Sequence, residues 1–266
     1  MEINYQETTF DLLKRINIHD QYGSRNIDEW MLELLPLNKG MRILDVACGA
    51  GKQCFSFYEY LDGECEITGV DISGDLLEKA QTERSKRGFE IEFKKDDFNT
   101  TLGFEAGQFD LVSCCFAIYY AEDIPHTIRE MHRVLKPGGT LFTTGPMPEN
   151  KQTFYEIIKQ ATGKVIPPMP GSSRFSTEIL DAIRESFSVV DVEIFENPLT
   201  FKVAKPFLDY TRASLSEDRK LWKSFFIGAD SFENVMKDIT DAAENWVKKN
   251  GELVMTKVVG GFLATE

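Results

Sequence analysis

Apolar residues recur at helical spacing early in the chain, at Phe10, Leu13 and Ile16 and again at Ile27, Met31, Leu34 and Leu35, until Pro36 and Gly40 close the run. The period then changes. Met41 to Ala47 forms a short β-rich stretch entering a glycine turn, Cys48-Gly49-Ala50-Gly51, and residues 52–61 suit a helix. The alternation repeats with a strand at Glu66 to Asp71 and a helix at Asp75 to Arg87, where Leu76, Leu77 and Ala80 share a face. Strands follow at Ile91 to Lys95 and at Phe109 to Cys115, the latter apolar in the manner of a strand covered on both faces. Ile128, Met131, Val134 and Leu135 mark the next helix, stopped by Lys136-Pro137-Gly138-Gly139, and Thr140 to Thr144 opens a fifth strand. Strands and helices alternating at this spacing predict βαβ units in a doubly wound parallel sheet of the α/β class.

Beyond Gly145 the rhythm differs: a helix at Lys151 to Ala161, a loop with Pro167, Pro168 and Pro170, a helix near Thr177 to Glu185 and a sixth strand at Ser188 to Glu196. Residues 199–250 read as helical, with Phe232, Val235, Ile239, Ala242 and Trp246 three or four apart, before a last strand at Met255 to Leu263. The expected organisation is an N-terminal helical lid over 1–40, a nucleotide-type domain over 41–198 and 252–266, and a helical cap over 199–251 whose Phe201, Phe207, Trp222, Phe225, Phe226, Phe232 and Trp246 are mostly core.

Composition narrows the function. With 30 Lys+Arg against 43 Asp+Glu the net charge is −13, which repels phosphate backbones and anionic membranes and disfavours nucleic acid as a partner. The longest nearly uncharged apolar run, Leu111 to Ala121, is about half of the roughly 20 residues a membrane span requires. No basic segment leading into an apolar core marks the N-terminus as a secretory signal, so a cytoplasmic protein, monomer or homodimer, is expected. The five cysteines, Cys48, Cys54, Cys65, Cys114 and Cys115, form no C-x-x-C pair and read as reduced core residues; no cluster has metal-ligand spacing, so no metal is expected.

The chemistry concentrates at the glycine turn. Asp45 closes the first strand, Gly49 and Gly51 let a ligand approach the backbone, and Asp71, twenty residues after Gly51, is placed to accept hydrogen bonds from two ribose hydroxyls. A dinucleotide site wants a third glycine where Cys54 stands, and Asp45 would oppose a pyrophosphate while suiting an ammonium. That favours S-adenosylmethionine over a nicotinamide dinucleotide.

In this order, Ile43 to Gly51, Gly69-Val70-Asp71-Ile72-Ser73, Phe109-Asp110-Leu111-Val112 and Arg133 to Gly139 resemble the class I S-adenosylmethionine-dependent methyltransferases over roughly residues 41–145. The resemblance implies a seven-stranded Rossmann-like sheet with an antiparallel last strand, S-adenosylmethionine as donor and S-adenosylhomocysteine as product. It assigns Asp45, Ala47, Gly49 and Gly51 to the methionine moiety and its turn, Asp71 to the ribose and Ile72 to the adenine face. Asp97 with the backbone of Phe98 matches the adenine-amine position, with Asp96 in place of a glycine leaving Asp96 as the alternative. Cys114, Cys115 and Phe116 match the segment flanking the methyl donor, Tyr119 and Tyr120 the acceptor-facing positions, and Tyr22-Gly23 a segment closing over the methionine carboxylate.

His19, near the lid, is the better histidine for a general base, while His126 and His132 read as surface residues. Tyr155 and Lys159 form the Y-x-x-x-K pair of short-chain dehydrogenases without that family's glycine turn. The preferred expectation is direct displacement of a methyl group onto an O or N atom of a small metabolite. The alternatives are a protein or tRNA acceptor, a nicotinamide-dependent oxidoreductase, and a donor-binding module without catalysis.

Overall fold

The computed structural model describes residues 9–165, 170–218 and 231–266. The expectations at Pro167, Pro168, Trp222, Phe225 and Phe226 lie outside the described residues, as do the side chains of Phe10, Leu13 and Pro170. The chain divides into two compact units, one of residues 1–26, 148–169 and 196–258, the other of 27–147, 170–195 and 259–266.

The second unit carries the sheet. Its strands are β1 (Arg42–Val46), β2 (Glu66–Asp71), β3 (Ile91–Lys95), β4 (Phe109–Cys115) and β5 (Leu135–Pro146), joined by β6 (Val189–Phe201) and β7 (Leu253–Thr265), whose ranges straddle the unit boundary. Strand order is β3-β2-β1-β4-β5-β7-β6, with β7 antiparallel to β5 and β1 through β5 mutually parallel. The seven-stranded α/β sheet with its reversed late strand matches the expectation. Order reverses between β1 and β4, so their carboxyl ends splay apart and leave the crevice where doubly wound sheets take ligands.

Helices α2 (Ile27–Leu34), α3 (Lys52–Tyr60), α4 (Gly74–Arg87) and α5 (Ile124–Val134) flank these strands. Local chemistry sets their ends. Ser73 Oγ accepts from Leu76 N to start α4, Gly88 in a left-handed conformation ends it, and Asp123 accepts from His126 N to start α5. Ile128, Met131 and Val134 bury the inner face of α5 against Val112, Leu141 and Ile183 in one apolar layer, while Trp30, Met31, Ile43, Phe57 and Ile67 share the other. Through Trp30 and Met31, α2 packs into that second layer, within the unit that carries the sheet. Helices α7 (Pro170–Arg174) and α8 (Leu180–Ser186) follow, with a π-helical turn at Phe175–Ile179 between them where Phe175 stacks on Phe262 at 4.3 Å.

The Lys136-Pro137-Gly138-Gly139 stop is not a free turn. Leu135 already pairs with Phe109 and Thr140 with Leu111, so the segment bulges out of β5 instead of preceding it.

The first unit packs α1 (Thr9–Tyr22), α6 (Gln152–Thr162), α9 (Ala204–Asp218) and α10 (Phe232–Asn250) around Phe154, Phe201, Phe207, Tyr210 and Ile239. The α9 and α10 helices of the 199–251 stretch thus share one apolar core with α1 and α6. At Gly23 an added Cβ would lie 2.5 Å from Asn197 Nδ2, and Asn197 Oδ1 accepts from Ser24 N and Arg25 N, so the end of α1 is clasped to β6 where only glycine fits.

Candidate functional site

At the carboxyl end of β1 the backbone turns through left-handed conformations at Ala47 (φ 57°), Gly49 (φ 56°) and Gly51 (φ 82°). Cys48 N donates to Val70 O and Gly51 N to Cys48 O, tying the turn to β2 and to itself. A Cβ added at Gly49 would meet nothing within 4 Å, so this face of the turn opens on space. Across the crevice Phe116, directly after β4, also has a left-handed backbone (φ 58°), is 38% exposed, and is held by Phe116 N donating to Thr144 O. Non-glycine residues in this region are uncommon and cluster at ligand sites, and here two of them flank the sheet's switch point.

Asp71 organises the turn. Its Oδ2 accepts from Gly49 N and its Oδ1 from Ser73 N, both at 2.8 Å, which leaves further lone pairs on each oxygen for a ligand's hydroxyls. Ile72 beside it is 59% exposed, an apolar plate next to the carboxylate.

Asp45 is buried, with Oδ1 accepting from Ser113 Oγ at 2.6 Å and Oδ2 from Cys54 Sγ at 3.4 Å. Burial pushes its carboxyl up, the Ser113 and Cys54 bonds oppose this, and the nearby Asp71 charge adds to it, leaving the group at about 6. Burial, with Cys48 and Asp45 as neighbours, holds the Cys54 thiol far above its ordinary range, so it stays a neutral donor. The residue standing where a dinucleotide fold wants glycine is thus the one that orients Asp45. On the first turn of α3, Gln53 Nε2 is buried and has no hydrogen-bond acceptor.

The sequence reading passes over Ser113 and Gln53; the signal for Ser113 is a hydroxyl inside the otherwise apolar run Leu111 to Cys115, and Gln53, next to Lys52 at a helix start, carries none.

Asp96 and Asp97 differ in their bonding. Asp96 spends both oxygens on its own loop, accepting from Asp97 N and Gly103 N, whereas Asp97 uses only Oδ1, for Asn99 N and Nδ2. Phe98 is half-buried against the core and its carbonyl accepts from Thr127 Oγ1. Cys114 is fully buried in one apolar layer, and half-buried Cys115 packs against the other. Tyr119 and Tyr120 are half-buried with rings 4.8 Å apart, and Arg174 Nη1 donates to Tyr119 O.

His19 and Tyr22 belong to the other unit, where His19 stacks on Tyr210 at 5.6 Å and Tyr22 tilts over Phe201 at 5.1 Å. His132, on α5, pairs with Glu266 at 3.0 Å. Among the described residues no group of His, Cys, Asp or Glu is arranged to hold a metal ion, and no helix is long and apolar enough to cross a membrane.

At the switch point stand open space over Gly49, a carboxylate with spare lone pairs at Asp71 and an apolar plate at Ile72, with Asp45 and Gln53 buried beside the turn. A methyltransferase-domain family model matches residues 37–185, more than half of the chain. The chain belongs to the class I S-adenosylmethionine-dependent methyltransferase family.

This methyltransferase is 30% identical over 169 residues to the malonyl-(acyl-carrier protein) O-methyltransferase of Enterobacter lignolyticus, a match covering 62% of this chain and 60% of that protein. It is 28% identical over 216 residues to the 27-O-demethylrifamycin SV methyltransferase of Amycolatopsis mediterranei, covering 74% and 78%. The fold is shared with the YcgJ protein from Bacillus subtilis at a TM-score of 0.57 and 16% identity, covering 90% and 98% of the two chains. The family assignment, with S-adenosylmethionine as donor, displaces the nicotinamide reading of Tyr155 and Lys159.

Proposed function

We propose that this methyltransferase transfers a methyl group to an oxygen of a small organic acceptor. The observation that carries the donor half is Asp71 bridging Gly49 N and Ser73 N at the switch point. The acceptor half is supported by the acidic chain, at −13, and by the two relatives, whose names specify an O-methyltransferase of a malonyl-carrier protein and a methyltransferase of a demethylated rifamycin.

Bound S-adenosylmethionine supplies a methyl group already activated by its sulfonium. The chain's task is then to bind, align and keep water out. Asp71 would take the ribose hydroxyls, Ile72 the adenine face and Asp97 Oδ2 the adenine amine. Gln53 would donate to the methionine carboxylate, with Asp45, oriented by Ser113 and Cys54, stabilising the ammonium. Phe116, Tyr119 and Tyr120 would wall the approach of the acceptor.

The test is calorimetry with S-adenosylhomocysteine followed by a methyl-transfer screen over carboxylic acids, phenols, amines, a carrier-protein fraction and bulk tRNA. Micromolar binding with turnover of a small oxygen acceptor supports the reading. Turnover of tRNA or an amine overturns the acceptor half, and donor binding with no turnover of any acceptor points to a non-catalytic module.

A further inference from the structure

On the surface of the first unit, α9 and α10 leave a groove of about 550 Å³ between the amino end of one helix and the carboxyl end of the other. Its floor is apolar. Val203 and Leu208 come from the α9 side and Val247 from α10, and Val203 is 60% exposed, a bare isopropyl group in water. Leu208 and Val247 are half-buried against the core that the two helices share. Lys205, Glu244 and Lys248 stand exposed along the same groove.

The residue pattern of α10 produces this face. Val235, Met236, Ile239 and Ala243 turn one side of the helix into the core, which puts Glu244, Val247 and Lys248, three and four residues apart, together on an adjoining strip. Such a strip is a short apolar ridge with one acid and one base beside it.

The charges around the groove are of two kinds. Lys205 is held by Asp209 at 2.7 Å and Lys202, just outside, by Glu252, so these cations are neutralised within the chain. Glu244 and Lys248 enter no ion pair with any described residue, although Glu followed by Lys four positions on is the order that favours a pair along one helix. Helix polarity accounts for Lys248 near the carboxyl end of α10, where a cation offsets the backbone dipole. It accounts for neither Glu244 nor the bare Val203.

An occupant of the groove has to meet both signs. A uniformly acidic partner would face Glu244 and a uniformly basic one Lys248, whereas a second copy laid antiparallel on a two-fold axis presents the same two residues in reverse order. With the axis level with Trp246, Glu244 of each copy lies opposite Lys248 of the other. The same arrangement carries Val247 of each copy onto the floor of Val203 and Leu208 in the other.

We propose that the groove between α9 and α10 is a homodimer interface, in which α10 packs antiparallel on α10 of a second copy and Glu244 and Lys248 pair reciprocally across the two-fold axis. The inference stands apart from the acceptor reading, since association is measured without donor or acceptor. A net charge of −13 on each chain opposes association at long range. At about 0.15 M salt, charges further apart than about 8 Å are screened, and the short reciprocal pairs decide the register. One groove between two helices covers less than the roughly 800 Å² per partner of a standard interface, so dissociation in the micromolar range is expected.

The experiment is sedimentation velocity at about 0.15 M salt, over about 1 to 300 µM, on the intact protein and on Glu244→Lys, Lys248→Glu and Val203→Asp variants, with far-UV circular dichroism to confirm that each is folded. All three positions are exposed, so the fold should survive each change. Wild type is expected to dimerise with rising concentration. Glu244→Lys sets cation against cation across the axis and Lys248→Glu sets acid against acid, so each alone should dimerise about tenfold or more weakly. Net charge alone would have Glu244→Lys associate more tightly, because that chain is less acidic. Mixed in equal amounts, with a fluorescent label on one of them, the two variants should form a heterodimer of about wild-type affinity, since both cross-axis pairs are again opposite in sign. A chain carrying both exchanges should dimerise with itself for the same reason, while Val203→Asp, which puts a carboxylate on the apolar floor, should weaken every combination. Wild type that stays monomeric throughout overturns the proposal and leaves the groove to a different partner. A dimer that neither charge reversal weakens lies on another surface and overturns it too, and single variants that are weakened but fail to associate when mixed overturn the reciprocal pairing.

Discussion

Replacing Asp71 by Asn tests the donor site where fold and ligand share the same atoms. The carboxylate accepts one backbone N–H on each oxygen, from Gly49 and from Ser73, both at 2.8 Å. An amide keeps one acceptor and turns an NH2 toward the other N–H, so one charge-assisted bond is lost, at about 1.5–3 kcal/mol. At roughly 2–4 °C per kcal/mol for a chain of this size, the melting temperature should fall by about 3–12 °C. The amide also removes charge and an acceptor from the ribose side, so a further loss of about 1.4–2.8 kcal/mol should weaken S-adenosylhomocysteine binding by about 10- to 100-fold. Thermal melts with and without ligand, alongside calorimetry, read both effects. A folded Asp71→Asn protein that melts lower but binds S-adenosylhomocysteine as tightly as wild type would refute the ribose role. One that neither melts lower nor binds more weakly would refute the turn geometry as well.

Other outcomes follow from the same geometry. Because the donor's ammonium favours ionised Asp45, whose carboxyl titrates at about 6 in the free protein, S-adenosylhomocysteine affinity should be level above pH 7 and fall about tenfold by pH 5. An unchanged affinity at pH 5 would remove Asp45 from ammonium recognition. Thr143 Oγ1, fully buried on β5, has no hydrogen-bond partner, so Thr143→Val should stabilise the protein by about 1 kcal/mol, seen as a higher denaturant midpoint at constant slope. Ala47 sits at φ 57°, where Ala47→Gly should be near neutral in stability and Ala47→Val should cost about 2 kcal/mol; equal melting temperatures for the two would contradict a strained β1 turn.

What could be read from the sequence was what is local. The run from Ile43 to Gly51 carries its strand, its turn and the first carboxylate within nine residues, and Asp71 follows at a spacing fixed by one helix and one strand. Ser113 could not be read as the partner of Asp45, since 68 residues separate them and only the β1–β4 pairing places them side by side. Lys136 to Gly139 has turn chemistry and was expected as a turn, yet the pairing of Leu135 with Phe109 pulls it into a strand as a bulge.

Both carboxylates of the donor turn are already held by the fold: Asp71 by two backbone amides, Asp45 by Ser113 and Cys54. Such a site is shaped before its ligand arrives, and little ordering entropy remains to be lost on binding. It also ties two properties together under selection. A lineage cannot discard either acid without disturbing the junction of β1, β2 and β4, so the turn should outlast its activity, and a descendant that no longer methylates anything should still bind the nucleoside.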